Sequence, residues 1–97
     1  MNNETTIEQE MSTPDAGSSI RMYTTNWCPD CFRAKKIMQT MQFSFDEIDI
    51  TDDEEATEMV IRMNHGHRSV PTIVFPDGSI LTEPSTVTLV QKLQSLV

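Results

Sequence analysis

The segment Ile20-Arg21-Met22-Tyr23-Thr24-Thr25-Asn26-Trp27-Cys28-Pro29-Asp30-Cys31-Phe32 decides the fold. It opens with a brief apolar run, Ile20, Met22 and Tyr23, that reads as a short strand, and Asn26 breaks the run with turn chemistry. Pro29 marks a first helical turn, where its missing N–H is harmless because those groups have no intrahelical partner. Both cysteines of the chain fall here, Cys28 at or just before the helix N-terminus and Cys31 one turn inside. The thiolate is the reactive form of cysteine, and free N–H groups at the positive end of a helix favour it. A helix end is worth roughly 0.3–1 kcal/mol, and up to about 2 when partly buried. At about 1.36 kcal/mol per pKa unit, the dipole alone lowers a cysteine by about one unit or less. More would need N–H···S hydrogen bonds or the cations Arg33, Lys35 and Lys36 on the following helix, while Asp30 works against them. The expectation is a moderate depression.

The chain has 97 residues, enough for one domain and one core. Its hydrophobic content of 37% and aromatic content of 6% are modest, which suggests that part of the chain lies outside that core. A formal net charge of −8 argues against nucleic acid or an anionic membrane surface as a partner. The N-terminus shows neither a basic region nor an apolar run, and no stretch approaches membrane-spanning length. A cytoplasmic protein is the expectation. Two cysteines so close in sequence cannot staple a fold, so they point to redox chemistry or metal binding.

Residues 1–18 hold four acids, Glu4, Glu8, Glu10 and Asp15, and no Lys or Arg. With Ile7 as their one branched aliphatic, they read as a disordered acidic tail before a domain at residues 19–97. Within the domain, Ala34, Ile37, Met38 and Met41 form one apolar face of a helix from about Pro29 to Thr40. Phe43 to Ile50 alternates apolar and polar over most of its length and reads as a strand. Thr51-Asp52-Asp53-Glu54 fits a capping box that opens a second helix. Ala56, Met59, Val60 and Met63 form its inner face, Arg62 and His65 lie in its last turn, and Gly66 stops it. Eight acids and no base occupy residues 46–58, read as a solvated face and a favourable helix start.

His67 to Pro71 is a loop, Thr72 to Phe75 a β-branched strand, Pro76 to Ser79 a turn, and Ile80-Leu81 the start of a paired strand. A last helix opens near Glu83 with Pro84 and turns Leu89, Val90, Leu93, Leu96 and Val97 inward. The order β-α-β-α-β-β-α makes the first two strands parallel and the last two antiparallel. This is an α/β domain with a mixed four-strand sheet covered by three helices.

Two kinds of chemistry suit the cysteines. In one, Cys28 attacks a disulfide and Cys31 or an external thiol resolves the product. In the other, Cys28 and Cys31 join His65 and His67 around zinc or an iron–sulfur cluster. The second fits poorly, because 33 residues separate Cys31 from His65 and one separates the histidines. Zinc modules usually keep about 12–20 residues between pairs and about three to five between histidines.

Three segments in this order resemble the thioredoxin superfamily at its minimal, glutaredoxin-like size, and most of all the mycoredoxins. They are Tyr23 to Cys28, Arg68-Ser69-Val70-Pro71-Thr72, and Asp77-Gly78-Ser79 with Leu81 to Ser85. The resemblance implies a thiol–disulfide oxidoreductase with Cys28 and Cys31 as its catalytic pair and no tightly bound cofactor or metal. Its co-substrate would be a small thiol, mycothiol first and bacillithiol or glutathione otherwise. Its partners would be S-thiolated proteins and small-thiol disulfides, met by a monomer. In this superfamily the peptide before the matching proline is cis, and the backbone of the residue before it pairs with extended substrate. Val70 and Pro71 would take those roles here. Trp27 and Pro29 would flank the substrate, and Arg68 would hold a carboxylate or sugar of the thiol. A direct dithiol donor of thioredoxin type is the alternative. Pro29-Asp30 stands where mycoredoxins more often carry Gly-Tyr and glutaredoxins Pro-Tyr. The Gly-Gly and acidic pair that hold glutathione in classical glutaredoxins are replaced by Asp77-Gly78-Ser79 and Glu83-Pro84-Ser85.

Overall fold

The computed structural model describes residues 20–97, so the acidic tail expected at residues 1–18 lies outside the described residues. The elements follow the expected order: β1 (Ile20–Thr24), α1 (Pro29–Thr40), β2 (Phe45–Asp49), α2 (Glu54–Met63), β3 (Thr72–Val74), β4 (Ile80–Thr82) and α3 (Thr86–Gln94). They form one sheet in the order β2-β1-β3-β4. β1 runs parallel to β2 and antiparallel to β3, and β3 runs antiparallel to β4. The mixed sheet expected from the α/β pattern is therefore present.

The pleat sorts the apolar side chains into two layers. Ile20 and Met22 of β1 and Ile73 of β3 pack with Ala34 and Met38 of α1 and with Leu89 and Leu93 of α3. Tyr23 and Val74 point the other way and pack with Ile50 and with Ala56 and Val60 of α2. Two helices thus cover one face and the third covers the other. No helix among the described residues is long and apolar enough to cross a membrane.

Several ends differ from the sequence pattern. β2 is shorter than residues 43–50 because Gln42 turns left-handed at φ 65° and the Phe43 N–H donates back to the Met38 carbonyl. The cap of α2 is Asp53, not Thr51: the Asp53 carboxylate accepts from Ala56 N–H at 3.0 Å. Thr51 is drawn away, its N–H donating to Asp49 at 2.8 Å and its hydroxyl accepting from Asn26 N–H at 3.2 Å. Asp caps as well as Thr does, so the competing bonds decide. α2 ends at Met63, which puts His65 beyond the last turn at φ 55°. Gly66, at φ 99°, does close the helix, its N–H reaching Ile61. Met59 is exposed rather than inward. α3 begins only at Thr86 under a Ser85 cap, because Glu83 turns left-handed at φ 48° and ties its N–H to Pro71. It ends at Gln94, which leaves Val97 exposed.

The β3–β4 turn shows how side chains fix a connection. The Asp77 carboxylate accepts from Ser79 N–H at 2.9 Å and from the Ser79 hydroxyl at 2.6 Å, and Gly78 supplies φ 88°. Lys92 of α3 donates to the same carboxylate at 2.6 Å and stands 5.3 Å over the Phe75 ring. The Lys92 bond, then the Ser79 bonds, hold the Asp77 carboxyl well below the usual carboxylate range. A carboxyl depressed on folding stabilises the fold above its ordinary pKa and loses that effect as pH falls through the folded value. Lys92→Met should accordingly raise the Asp77 pKa toward about 3.9, the ordinary aspartate value, in an NMR titration of the carboxyl carbons. An unchanged value would remove Lys92 as the main cause.

Candidate functional site

β1 delivers the chain to the dithiol turn, and the start of α1 fixes both sulfurs. Cys28 is the N-cap residue of α1, with extended backbone at φ −143° and ψ 101°, and Pro29 opens the helix. The Cys28 sulfur accepts from Cys31 N–H at 3.1 Å, the hydrogen bond that a thiolate at a helix start would use. Cys28 and Cys31 are joined as a disulfide, with Cα atoms 5.2 Å apart. Cys28 is half-buried, whereas Cys31 is only 3% exposed, packed on the inner side of the helix.

The cations expected to act on the sulfur are largely engaged elsewhere. Arg33 donates to Thr86 at 2.8 Å, to the Pro84 carbonyl at 3.4 Å and to Asp30 at 3.3 Å, tying α1 to the start of α3. Lys35 pairs with Glu47 of β2 at 3.0 Å. A cleft of about 150 Å³ lies beside the disulfide, lined by Asn26, Cys28, Cys31, Lys35, Glu47 and Asp49 among others. Thr51, by its hydroxyl first and its N–H second, holds the Asp49 carboxyl below its usual value.

The loop before β3 meets this turn from the other side. The Val70–Pro71 bond is cis, Pro71 is buried, and the Val70 carbonyl oxygen lies 3.9 Å from the Cys28 sulfur. Val70 precedes the β1–β3 ladder, and its N–H and C=O make no backbone hydrogen bond among the described residues. The fold therefore brings Cys28, Cys31, Val70 and Pro71 together. Trp27 stands 90% exposed beside them, Pro29 is exposed on the helix start, and Phe32 is 70% exposed one turn on.

Arg68 is not among the residues that line the cleft at the cysteines. It borders a separate groove with Asp52, Asp53, Glu54 and Glu58 at the start of α2. His65 and His67 are not gathered with the cysteines either. No group of three or more His, Cys, Asp or Glu side chains among the described residues is placed to hold a metal ion.

Asn64 escaped the sequence pattern. Its amide nitrogen donates to the Val60 carbonyl at 2.8 Å and to the Thr72 hydroxyl at 3.0 Å, and its oxygen accepts from the Thr82 hydroxyl. The Thr72 hydroxyl in turn donates to the Ser69 carbonyl at 2.7 Å, just before Val70. The available signal was spacing: Ala56, Val60 and Asn64 recur four apart, so Asn64, just past the end of α2, continues its buried face.

Comparison with known proteins matches the same region. A family profile described as Glutaredoxin matches residues 20–80. A Mycobacterium tuberculosis protein provisionally named a glutaredoxin is 41% identical over 76 residues, covering 78% of this chain and 90% of that protein. Mycoredoxin 1 of Corynebacterium glutamicum is 37% identical over 79 residues, covering 81% of this chain and 98% of that protein. Among solved structures, the thioredoxin-like protein BC3987 superposes with a TM-score of 0.65 at 26% identity, covering 81% of this chain and 100% of that one.

Proposed function

The chain belongs to the glutaredoxin family and is a thiol–disulfide oxidoreductase; from that premise we propose that it reduces mixed disulfides between proteins and mycothiol. The observation that carries the reading is the unequal pair. Cys28 is half-open and faces the unpaired backbone of Val70, while Cys31 is buried behind it.

In the proposed reaction the Cys28 thiolate attacks the small-thiol sulfur of the mixed disulfide. That S–S bond breaks, the client protein leaves as a thiolate and takes up a proton, and Cys28 now carries the small thiol. The thiolate of a second small-thiol molecule then attacks the carried sulfur and restores Cys28, releasing the symmetrical small-thiol disulfide. Alternatively the Cys31 thiolate attacks the Cys28 sulfur, expels the small thiol and leaves the Cys28–Cys31 disulfide. The cleft beside the sulfurs seats the small thiol, Trp27 and Pro29 flank the reacting sulfur from the exposed turn on either side of Cys28, and the client backbone pairs with Val70 as an added strand. Arg68, on the neighbouring groove, meets the distal part of the bound partner.

Charge supports mycothiol as the thiol. Glu47 and Asp49 line the cleft, Lys35 is paired with Glu47, and Arg33 is committed to α3. Such a wall repels the carboxylates of glutathione and bacillithiol and accepts a neutral sugar. The mycoredoxin relative and the missing Gly-Gly point the same way. One peptide presented as its mixed disulfide with mycothiol, bacillithiol or glutathione, each assayed with the matching free thiol, tests the choice. Mycothiol should lead in kcat/KM by about tenfold, a difference of about 1.4 kcal/mol. Equal rates, or a preference for glutathione, would remove mycothiol while leaving the oxidoreductase in place.

A further inference from the structure

We infer that Asn64 is a positioning residue for this chemistry, holding the loop Ser69-Val70-Pro71 opposite Cys28 through a directed chain of hydrogen bonds. The inference rests on the proposed docking of the client backbone at Val70. The chain begins at the rim of the sheet, where the Thr82 hydroxyl donates to the Asn64 oxygen. It passes from the Asn64 nitrogen to the Thr72 hydroxyl at 3.0 Å and from that hydroxyl to the Ser69 carbonyl at 2.7 Å. Each hydroxyl gives its one proton forward, so the order cannot be reversed without leaving a group unpaired. The Val60 carbonyl, 2.8 Å from the same amide nitrogen, fixes which way the amide faces.

Helix capping alone does not account for this arrangement. Asn64 is the C-cap of α2, and a cap needs only the Val60 bond, whereas the bonds to Thr72 and Thr82 reach strands β3 and β4. Asn64 is 9% exposed and Thr72 is 0% exposed, so a broken link would leave a polar group buried and unpaired. The far side of the loop has its own tie, since Glu83 N–H donates to the Pro71 carbonyl at 2.8 Å. Val70, between the two ties, makes no backbone bond of its own among the described residues. The loop is thus gripped on both sides of the one residue left open to a partner, and the grip at Ser69 passes through Asn64.

The test compares Asn64→Ala and Thr82→Val with wild type on two substrates. One is a peptide mixed disulfide, which has a backbone to pair with Val70. The other is bis(2-hydroxyethyl) disulfide, which has none. The inference expects KM for the peptide substrate to rise about three- to tenfold in both variants, the range one hydrogen bond supplies, with kcat within about twofold. KM for the small disulfide should not move. Thr82 is exposed on a short strand, so Thr82→Val keeps the test decisive even where Asn64→Ala fails to fold. Equal KM changes on both substrates would make Asn64 a structural residue only and overturn the inference. So would a lowered Tm with neither KM altered. Wild-type protein inert on both substrates would bring down the oxidoreductase reading itself, and the inference with it.

Discussion

Cys28→Ser should reduce turnover of mixed disulfides to the background rate, whereas Cys31→Ser should keep a readily measurable fraction when a small thiol is supplied. The asymmetry follows from exposure. Cys28 caps the helix at the cleft and faces Val70, so an incoming disulfide reaches it first. Cys31 is 3% exposed and can attack only the neighbouring Cys28 sulfur, once that sulfur carries the small thiol. Serine cannot replace the thiolate, because its hydroxyl stays protonated at neutral pH and forms no disulfide. Loss of Cys31 closes the internal route but leaves the external thiol free to resolve the carried adduct. Steady-state rates of the two variants on one mixed disulfide decide the matter. An active Cys28→Ser with a dead Cys31→Ser would exchange the two roles.

Ile73→Ala should cost about 2–5 kcal/mol, the usual range for emptying a fully buried aliphatic site. Ile73 is 0% exposed, in the inner strand β3, with Met22 of β1 and Leu81 of β4 on either side in register. No neighbouring loop can move in to fill the space, since both flanking strands are held by ladder hydrogen bonds. At roughly 4–8 °C per kcal/mol for a domain of this size, Tm should fall by about 10 °C or more. Ile80→Ala, at a site 40% exposed on the outer strand, is the control and should cost well under half as much. Thermal melts followed by circular dichroism would read both. A shift of only a degree or two for Ile73→Ala would mean that the core does not close on β3 as described.

The order of elements and the dithiol turn were legible in the sequence because they rest on period and punctuation. Ala34 and Met38 repeat at helical spacing, Pro29 marks a helix start, and Gly78 marks the hairpin turn. What escaped depends on contacts between segments far apart in the chain. Thr51-Asp52-Asp53-Glu54 satisfies the capping-box pattern, yet Asn26, 25 positions earlier, claims the Thr51 hydroxyl and Asp53 caps instead. Pro84 looks like a first helical residue until Glu83 is seen tied to Pro71 across the sheet. Arg33 and Lys35 could be placed on α1 from the sequence, but their partners on α3 and β2 could not. Asn64 stood on the right face of α2, but nothing local says that Thr72 and Thr82 converge there.

Among the described residues, the order β2-β1-β3-β4 also leaves β2 and β4 without an outer neighbour, and each such rim is a template on which a stray strand can grow. β4 offers only three residues, too short a template to hold much. β2 is longer, and it carries Asp46, Glu47 and Asp49 among its five residues, all exposed. A second copy laid against it would bring like charges side by side in a strand pair, which is unfavourable. Carboxylates that seemed merely to solvate one face therefore act as a guard against fibril-like stacking.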